Sequence, residues 1–333
     1  MEASKGNPVY STYVVSGNTK YNISPIVQNI DISDPEKEWA CRVTLEVVDY
    51  QEDGMQDILK ARNRVYLYAN DGSGEQEVFR GFIWTCGSGH TLTDKTVKVV
   101  CYDQLIFMQK SDESLFYPEG KSTKAIFSEV CSKWGISLSY GYQSITHSKL
   151  VLRGKLSDIM TADVLDLVKD RSGKKYVILS KKDVMYVSGL GQNSTVYRFN
   201  SSENAIRTYA EHTMEGMVTK VVILGKAEKD NRPPVEATIS GDTATYGTLQ
   251  ETITRDSNTT LADAKAEANN IIKEKGKPFW EYELRAPDVP WIRKGDKVQV
   301  NVDNMPASSF IVKSVERSIS NKSKLMSMTL EKA

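Results

Sequence analysis

The sequence has little of what nucleic-acid-binding or membrane-spanning proteins require. Lysine plus arginine number 43, and so do aspartate plus glutamate, which gives a formal net charge of zero. A duplex-binding protein usually carries a basic excess, because contacts to phosphates supply most of its affinity. We therefore expect no specific nucleic-acid binding. No apolar run approaches the roughly 18 residues of a membrane span, so we also expect no insertion into a membrane.

Cysteine and histidine are scarce and scattered. The four cysteines, at positions 41, 86, 101 and 131, form no Cys-x-x-Cys pair, and the three histidines are far apart. Metal sites need ligands at characteristic spacings, so the sequence predicts no metal site and no cofactor. The cysteines are interpreted as reduced packing residues. The polar residues 1–8 contain no apolar signal region, so synthesis in a cytoplasm is expected.

Few segments could suggest catalysis, and each has a simpler interpretation. Gly87-Ser88-Gly89 beside His90 lacks the strand-turn-helix setting of a nucleophile elbow and is interpreted as a hairpin turn. Residues 70–75 lack the spaced carboxylates of a calcium loop. The acidic residues between positions 46 and 57 have no apolar wall that would raise a pKa for general-acid work. Asp296 is expected to bond its own backbone in a turn. No catalytic residue is predicted.

Alternating side chains in the first hundred residues predict an antiparallel β module. Val43, Leu45 and Val47 alternate with polar residues, and similar runs follow at 65–68, 78–84 and 97–102. Such a period of two is typical of half-buried strands, and the polar, glycine-containing segments between the runs favour turns.

Helical spacing appears in the middle of the chain and once more near its end. Ser122 or Thr123 can cap a helix that runs to Trp134, and a second helix is predicted over 161–170 before a hairpin at 176–187. Strands are predicted at 205–209 and 219–224. Residues 226–248 are interpreted mostly as a loop or a loose hairpin. The sequence then predicts a helix over about 260–275, with Thr260 as its N-cap.

The last fifty residues repeat the pattern of the first module. An alternating strand at 298–302, a turn, a strand led by Phe310 and a final strand at 325–330 match the order seen at 65–102. The five candidates for structural or interface roles, chosen by strand position, are Phe82, Trp84, Val298, Val300 and Phe310.

The predicted fold is mainly β with an α+β insert. Two similar antiparallel β-barrel modules of the tube type flank a small helix-containing domain. The predicted domains are a first barrel module at 1–110, the insert at 111–192, and a second barrel module at 193–333 that includes the helix at about 260–275.

The order of these elements resembles the XkdQ/YqbQ-type baseplate hub proteins of contractile phage tails and phage-tail-like bacteriocins, a late control D or tail hub family. The resemblance is carried by Val100-Cys101-Tyr102-Asp103-Gln104-Leu105, by Lys110-Ser111 and by the helix at 125–134 that ends in Gly135-Ile136. Closing strands at 310–316 and 326–330 also match. It spans nearly the whole chain, and its motifs are patterned strands, not reactive residues.

The resemblance implies a non-enzymatic homotrimer that joins the hexameric tail tube to the trimeric central spike. It implies the tube protein, the spike protein, other baseplate proteins and a tape measure protein in the lumen as partners. The chain would be made in a bacterial host cytoplasm and reside in the tail baseplate. Two other classes stay open from the residues alone: a tail-associated cell-wall hydrolase and a carbohydrate-binding β protein.

Overall fold

The computed structural model describes residues 7–48, 55–90, 95–227, 232–255 and 259–333. The chain is mainly β with a few helices, so the predicted fold class is confirmed. No helix among the described residues is long and apolar enough to cross a membrane. The first module contains β1 (Val9–Ser16), β2 (Thr19–Asn22), β3 (Val27–Asp34), β4 (Arg42–Val48), α1 (Met55–Ile58), β5 (Arg64–Asn70), β6 (Glu75–His90) and β7 (Lys95–Tyr102).

The helix-containing insert follows the first module. Its elements are α2 (Leu105–Gln109), β8 (Asp112–Tyr117), α3 (Thr123–Lys133), β9 (Ser137–Gly141), β10 (Leu150–Lys155), α4 (Leu156–Met160), a π-helical turn (Thr161–Leu165), α5 (Asp166–Ser172), β11 (Tyr176–Lys181) and β12 (Val184–Gly189). Ser122 is the N-cap of α3, because its side chain accepts a hydrogen bond from the Ala125 amide. Gly173 ends α5 in the left-handed conformation. Both helices were expected from the sequence.

The remaining elements form the second module and a smaller unit inserted into it. They are β13 (Tyr197–Asn200), β14 (Arg207–Thr213), β15 (Lys220–Leu224), β16 (Val235–Ser240), α6 (Thr243–Tyr246), β17 (Gln250–Thr254), α7 (Leu261–Lys275), β18 (Phe279–Pro287), β19 (Lys297–Asn301), β20 (Ser308–Ser320) and β21 (Lys324–Lys332). Thr260 caps α7 as predicted, accepting a hydrogen bond from the Asp263 amide.

One sheet of thirteen strands joins the two modules. Its path is β14-β18-β21-β20-β3-β4-β7-β6-β5-β1-β2, and β19 and β13 branch from β20. The long strand β20 serves both modules, because residues 308–311 pair with β19 whereas residues 315–320 pair with β3. In the part of the chain that the structure describes, these pairings follow an open path and do not close either module into a ring.

The two modules repeat one pattern of strand neighbours. β5, β6, β7, β4 and β3 are consecutive in the first module, as β19, β20, β21, β18 and β14 are in the second. Both central hairpins have a β-bulge at the same place, between Ile83 and Thr85 in β6 and between Val312 and Ser314 in β20. When the modules are aligned on this bulge, β3 is the equivalent of β14.

Four clusters of buried side chains stabilise these units. Each module has its own apolar core along the inner face of its strands. The core of the insert lies around α3, α4 and α5 and also takes in Trp39, Ala40 and the helix α2. The smallest cluster packs Ala264 and Ala268 of α7 against Val221 and Ile223 of β15. The predicted domain limits at 110/111 and 192/193 stay predictions.

Two local expectations differ from the structure. The prediction of a hairpin turn at residues 87–90 is wrong. These residues continue β6 and pair with residues 95–98 of β7. Residues 91–94 lie outside the described residues. The segment at 226–248, predicted as a loop or loose hairpin, contains the strand β16, which pairs antiparallel with β15.

Candidate functional site

The two modules of the fold meet at the junction where β3 pairs with the second half of β20. Six residue pairs join the strands, from Val315 opposite Asp34 to Ser320 opposite Asn29. The pairing is antiparallel and carries the sheet from one module into the other. We call these two strand segments and the charged residues beneath them the module junction.

Asp34 is the buried anion at the end of this strand pair. Its side chain is fully buried and accepts a hydrogen bond from Arg293 Nε at 2.6 Å, while Lys294 Nζ lies 3.6 Å from its Oδ1. Burial alone would raise the pKa of Asp34, but the Arg293 and Lys294 charges outweigh it and hold this pKa well below its usual range. Asp34 is therefore ionised and paired at neutral pH.

The side chains of the two cations that face Asp34 also bind backbone carbonyls of two other segments. Lys294 Nζ donates to the carbonyls of Pro35, at 3.1 Å, and Glu38. Arg293 Nη1 donates to the carbonyl of Ser180 in β11 at 3.4 Å. The Arg293 amide donates to Asp296 Oδ2 at 2.8 Å, which confirms the expected local backbone bond of Asp296. The cluster thus links both modules to the insert.

A second buried carboxylate, Asp103, fixes the chain where the first module ends. Its two oxygens accept hydrogen bonds from the amides of Cys41 and Leu105, both at 2.9 Å. Burial raises the pKa of Asp103 to about 6, although the two amides act in the opposite direction. Burial likewise raises the pKa of the Cys41 thiol to about 12, so this cysteine is an unreactive packing residue.

A second buried ion pair lies in the second module and reaches β1. Arg317 Nε donates to Asp288 Oδ1 at 3.0 Å, and Arg317 Nη2 donates to the carbonyls of Val289, at 3.2 Å, and Ile292. The Tyr10 hydroxyl donates to the other oxygen of Asp288. Arg317 lies on β20 between junction residues, so this pair anchors the same strand from its inner face.

The insert contacts the first module through the tip of its β11–β12 hairpin. Lys182 and Asp183 both have positive φ angles, at 50° and 60°, as a tight two-residue hairpin turn requires. Asp183 Oδ2 accepts hydrogen bonds from Arg64 at 2.6 Å and Arg80 at 3.1 Å. A cleft of about 480 Å³ lies beside this contact, between the hairpin, β6 and Trp291.

The five predicted candidates fall into two groups. Phe82 and Trp84 lie together on β6, each packed against Phe107 with ring centroids 5.4 and 5.9 Å away, and Trp84 is 41% exposed. Val298, Val300 and Phe310 are instead buried in the core of the second module, at 0–1% exposure. Any part of these five residues in an interface stays a prediction.

The junction residues themselves were not singled out from the sequence. Asp34 and Arg293 are 259 positions apart, and Tyr10 and Asp288 are 278 positions apart. Periodicity reports only the surroundings of a strand or helix, so no local signal identified these pairs.

The described residues contain no group of three or more histidine, cysteine or acidic side chains placed to hold a metal ion. The buried ionisable residues described above are paired with charges or backbone groups. His147, also buried, contacts the Thr123 hydroxyl at 2.9 Å, and burial lowers its pKa to about 4. The buried ion pairs and hydrogen bonds of the junction therefore hold distant segments of the chain together.

Comparison with solved structures identifies the same fold in tail proteins. The tail protein from Neisseria meningitidis MC58 has a TM-score of 0.71 and 14% identity, covering 96% of each chain. The 43 kDa tail protein of prophage MuSo2 from Shewanella oneidensis also gives 0.71, with 11% identity over 97% of this chain and 98% of that one. The E. coli c3393 protein, a component of the type VI secretion system, gives 0.58 with 8% identity over 92% and 74%.

Sequence comparison with curated proteins found no match. A comparison with protein-family models did find one, which covers residues 42–331 and therefore the chain from β4 to β21, with β1, β2 and β3 outside the matched region. Because that match spans most of the chain, this protein belongs to the YQBQ-like family.

Proposed function

We propose that this protein is a structural, non-catalytic subunit of a phage-type tail, which as a homotrimer joins the hexameric tail tube to the trimeric central spike. The observation that supports this is the pair of equivalent strand sets within one sheet. Three copies of a chain with two such modules present six similar units around one axis, yet the ring keeps threefold symmetry. Such a ring can match a sixfold tube at one end and a threefold spike at the other.

The module junction supplies the rigidity that this role needs. A hub must keep its six units in fixed positions while load passes from tube to spike. The β3–β20 ladder and the buried pairs of Asp34 and Arg317 bind the two modules through backbone and charge together. Breaking one buried pair costs about 3–5 kcal/mol, so the spacing of the modules resists thermal displacement.

The outward face of the junction strands suits the wall of a water-filled channel. Its side chains are small or charged, and neighbours bond one another, as Ser33 does with Glu316 at 2.6 Å and Ser314 with Thr329 at 3.1 Å. We assign this face to the lumen, where a tape measure protein would pass. The tube, spike and other baseplate proteins are the proposed partners, and the fold shared with two tail proteins, one of them from a prophage, supports this proposal.

Copy number and position in the particle test the proposal. Tail particles carrying this protein would be purified and quantified by mass spectrometry against their tube protein, and imaged at side-chain resolution. We expect three copies per tail, in a ring between the tube and the spike. Six copies, or density elsewhere in the particle, would contradict the hub assignment.

The non-catalytic part of the proposal has its own test. Purified protein would be incubated with peptidoglycan sacculi, and released fragments measured by chromatography, with a lysozyme digest as the positive control. We expect no fragments above the level of a buffer blank. Cleavage by the purified chain would instead favour the tail-associated hydrolase.

A further inference from the structure

One edge strand of the thirteen-stranded sheet has no described strand on its outer side. β14 pairs with β18 only, along all seven of its residues. It contains no proline, and exposed apolar side chains surround it, with Trp280 at 53%, Ile206 at 56%, Tyr209 at 44% and Met214 at 43%. Natural proteins rarely leave such an edge uncovered, because its free amides and carbonyls recruit another strand.

The module equivalence identifies what covers this edge. β3, the equivalent of β14, is covered by the second half of β20. The equivalent of β20 is β6, whose residues 75–82 pair with β5, as residues 308–311 of β20 pair with β19. Beyond the bulge, residues 85–90 pair with β7 on one side, and no described strand pairs with their other side.

The two uncovered partners are therefore the second half of β6 and the edge of β14. Within one chain they belong to different modules, each already joined to the other through β3 and β20. Two different edges that fit each other give a head-to-tail contact between copies, and such contacts close into a ring when the rotation allows.

We infer that β14 of one copy pairs antiparallel with residues 86–90 of β6 in the next copy, and thus repeats between chains the junction that β3 and β20 make within one. This inference rests on the homotrimer of the proposed function. It adds the strands and the register of the contact.

The register follows from the strand pairs already described. Alignment on the bulge makes Cys86 equivalent to Val315, and the pairs through β21 and β18 make His212 equivalent to Asp34. Because Val315 lies opposite Asp34, Cys86 lies opposite His212 of the next copy. By the same alignment Gly87 lies opposite Glu211, and His90 opposite Thr208.

Two side chains at the β14 edge have the surroundings that this pairing predicts. His212 and Trp280 are exposed and stacked on each other, with ring centroids 5.0 Å apart. Their equivalents at the inner junction, Asp34 and Cys41, are 0% and 3% exposed. A strand that covers β14 as β20 covers β3 would bury the stacked pair. The inferred contact therefore explains why His212 and Trp280 are exposed in a single chain.

The charged residues around Glu211 also favour the inferred register. Glu211 lies directly opposite Glu281, an unfavourable pair of like charges across β14 and β18. In the inferred register Gly87 lies on the other side of Glu211, and Lys98 lies opposite Gly87. Gly87 has no side chain to separate them, so the exposed Lys98 ammonium can approach Glu211 and offset the repulsion.

Disulfide trapping tests this register. Opposed residues in antiparallel strands have Cα atoms about 4.5–5.5 Å apart, within the range that a disulfide spans. Cys86 is exposed, whereas Cys41, Cys101 and Cys131 are buried. In His212→Cys, mild oxidation should therefore produce covalent dimers and trimers on a non-reducing gel. Glu211→Cys is the matched control, since its side chain points to the opposite face of the strand and should give few cross-links.

Four outcomes test this inference and the homotrimer on which it rests. Cross-links in His212→Cys that vanish in Cys86→Ser/His212→Cys support the pairing of β14 with β6. Cross-links that persist in that double variant show β14 pairing with β14 of another copy, which overturns it. Native mass spectrometry of the unmodified chain, against its mass of 37.3 kDa, separates the remaining cases. A trimer without cross-links refutes only this register, whereas neither trimer nor cross-links refutes the homotrimer of the proposed function.

Discussion

Removal of the Asp34 charge is the most direct test of how the modules are held together. In Asp34→Ala, Arg293 and Lys294 would stay in place without their counter-charge. The Lys294 side chain is 3% exposed and that of Arg293 is 13% exposed, so neither cation can recover full hydration. The loss of one partner from a buried pair typically costs about 3–5 kcal/mol, and we expect a loss in this range.

Urea unfolding, followed by tryptophan fluorescence, measures that loss. Asp31→Asn is the matched control, because Asp31 lies on the same strand but its side chain is exposed, and we expect a change within about 0.5 kcal/mol. Asp34→Asn preserves the side-chain volume and separates the lost charge from a cavity. A loss below about 1 kcal/mol in both Asp34 variants, or an equal loss in Asp31→Asn, would refute the account of the junction.

The pH dependence of the unfolding free energy tests the Asp34 ion pair independently. The pKa of Asp34 in the folded protein is held below its ordinary value of 3.8, so its ionised form stabilises the fold above that value. This contribution is lost only as the pH falls through the folded pKa. The difference in unfolding free energy between the wild type and Asp34→Asn should therefore be constant from pH 7 to pH 5 and shrink in stronger acid. A difference that disappears already at pH 5 would contradict the depressed pKa.

Three further changes test the insert and its contacts. Ser122→Ala should cost about 1 kcal/mol of unfolding free energy in urea titrations, because α3 loses its N-cap, whereas the exposed Ser132→Ala on the same helix should not. Asp183→Ala should increase amide hydrogen exchange in the β11–β12 hairpin, at a cost of only about 1 kcal/mol since its ion pairs are partly exposed. Gly295 has a φ of +84°, and a Cβ added there would lie 2.7 Å from a side chain of β11. Gly216 has a similar φ of +75° but open space around it. The melting temperature of the Gly295→Ala variant should therefore fall further than that of the Gly216→Ala variant.

Patterns that repeat along a single element were predictable from the sequence. The strand at 298–302 and the helix at about 260–275 were predicted almost to their ends, because alternation and a capping threonine are local features. The repeat of the three-strand pattern was also visible, since each copy keeps its order of strand, turn and strand. These features follow from the order of residues along continuous stretches of the chain.

Features that depend on distant residues were not predictable in the same way. Nothing in the alternation of 308–320 shows that β20 changes its neighbour from β19 to β3 halfway along. Gly87–His90 has turn-like composition, yet the ladder to β7 holds it as a strand. Val298, Val300 and Phe310 share the alternation of Phe82, but they are buried in a core to which several distant strands contribute.

The equivalence of Asp34 and His212 shows how one pattern of strands can meet two different demands. The inner junction forms once, when the chain folds, so it can bury a charge whose exposure or loss would be costly. The edge of β14 must tolerate water until another copy covers it, and a stacked histidine and tryptophan can do so without an unpaired buried charge. In the proposed ring, His212→Asp would place a carboxylate at the contact between copies with no Arg293 or Lys294 beside it. Subunit contacts should then weaken at neutral pH, as native mass spectrometry would show by a shift from trimer to monomer, while the unfolding free energy of the single chain stays within about 0.5 kcal/mol of the wild type.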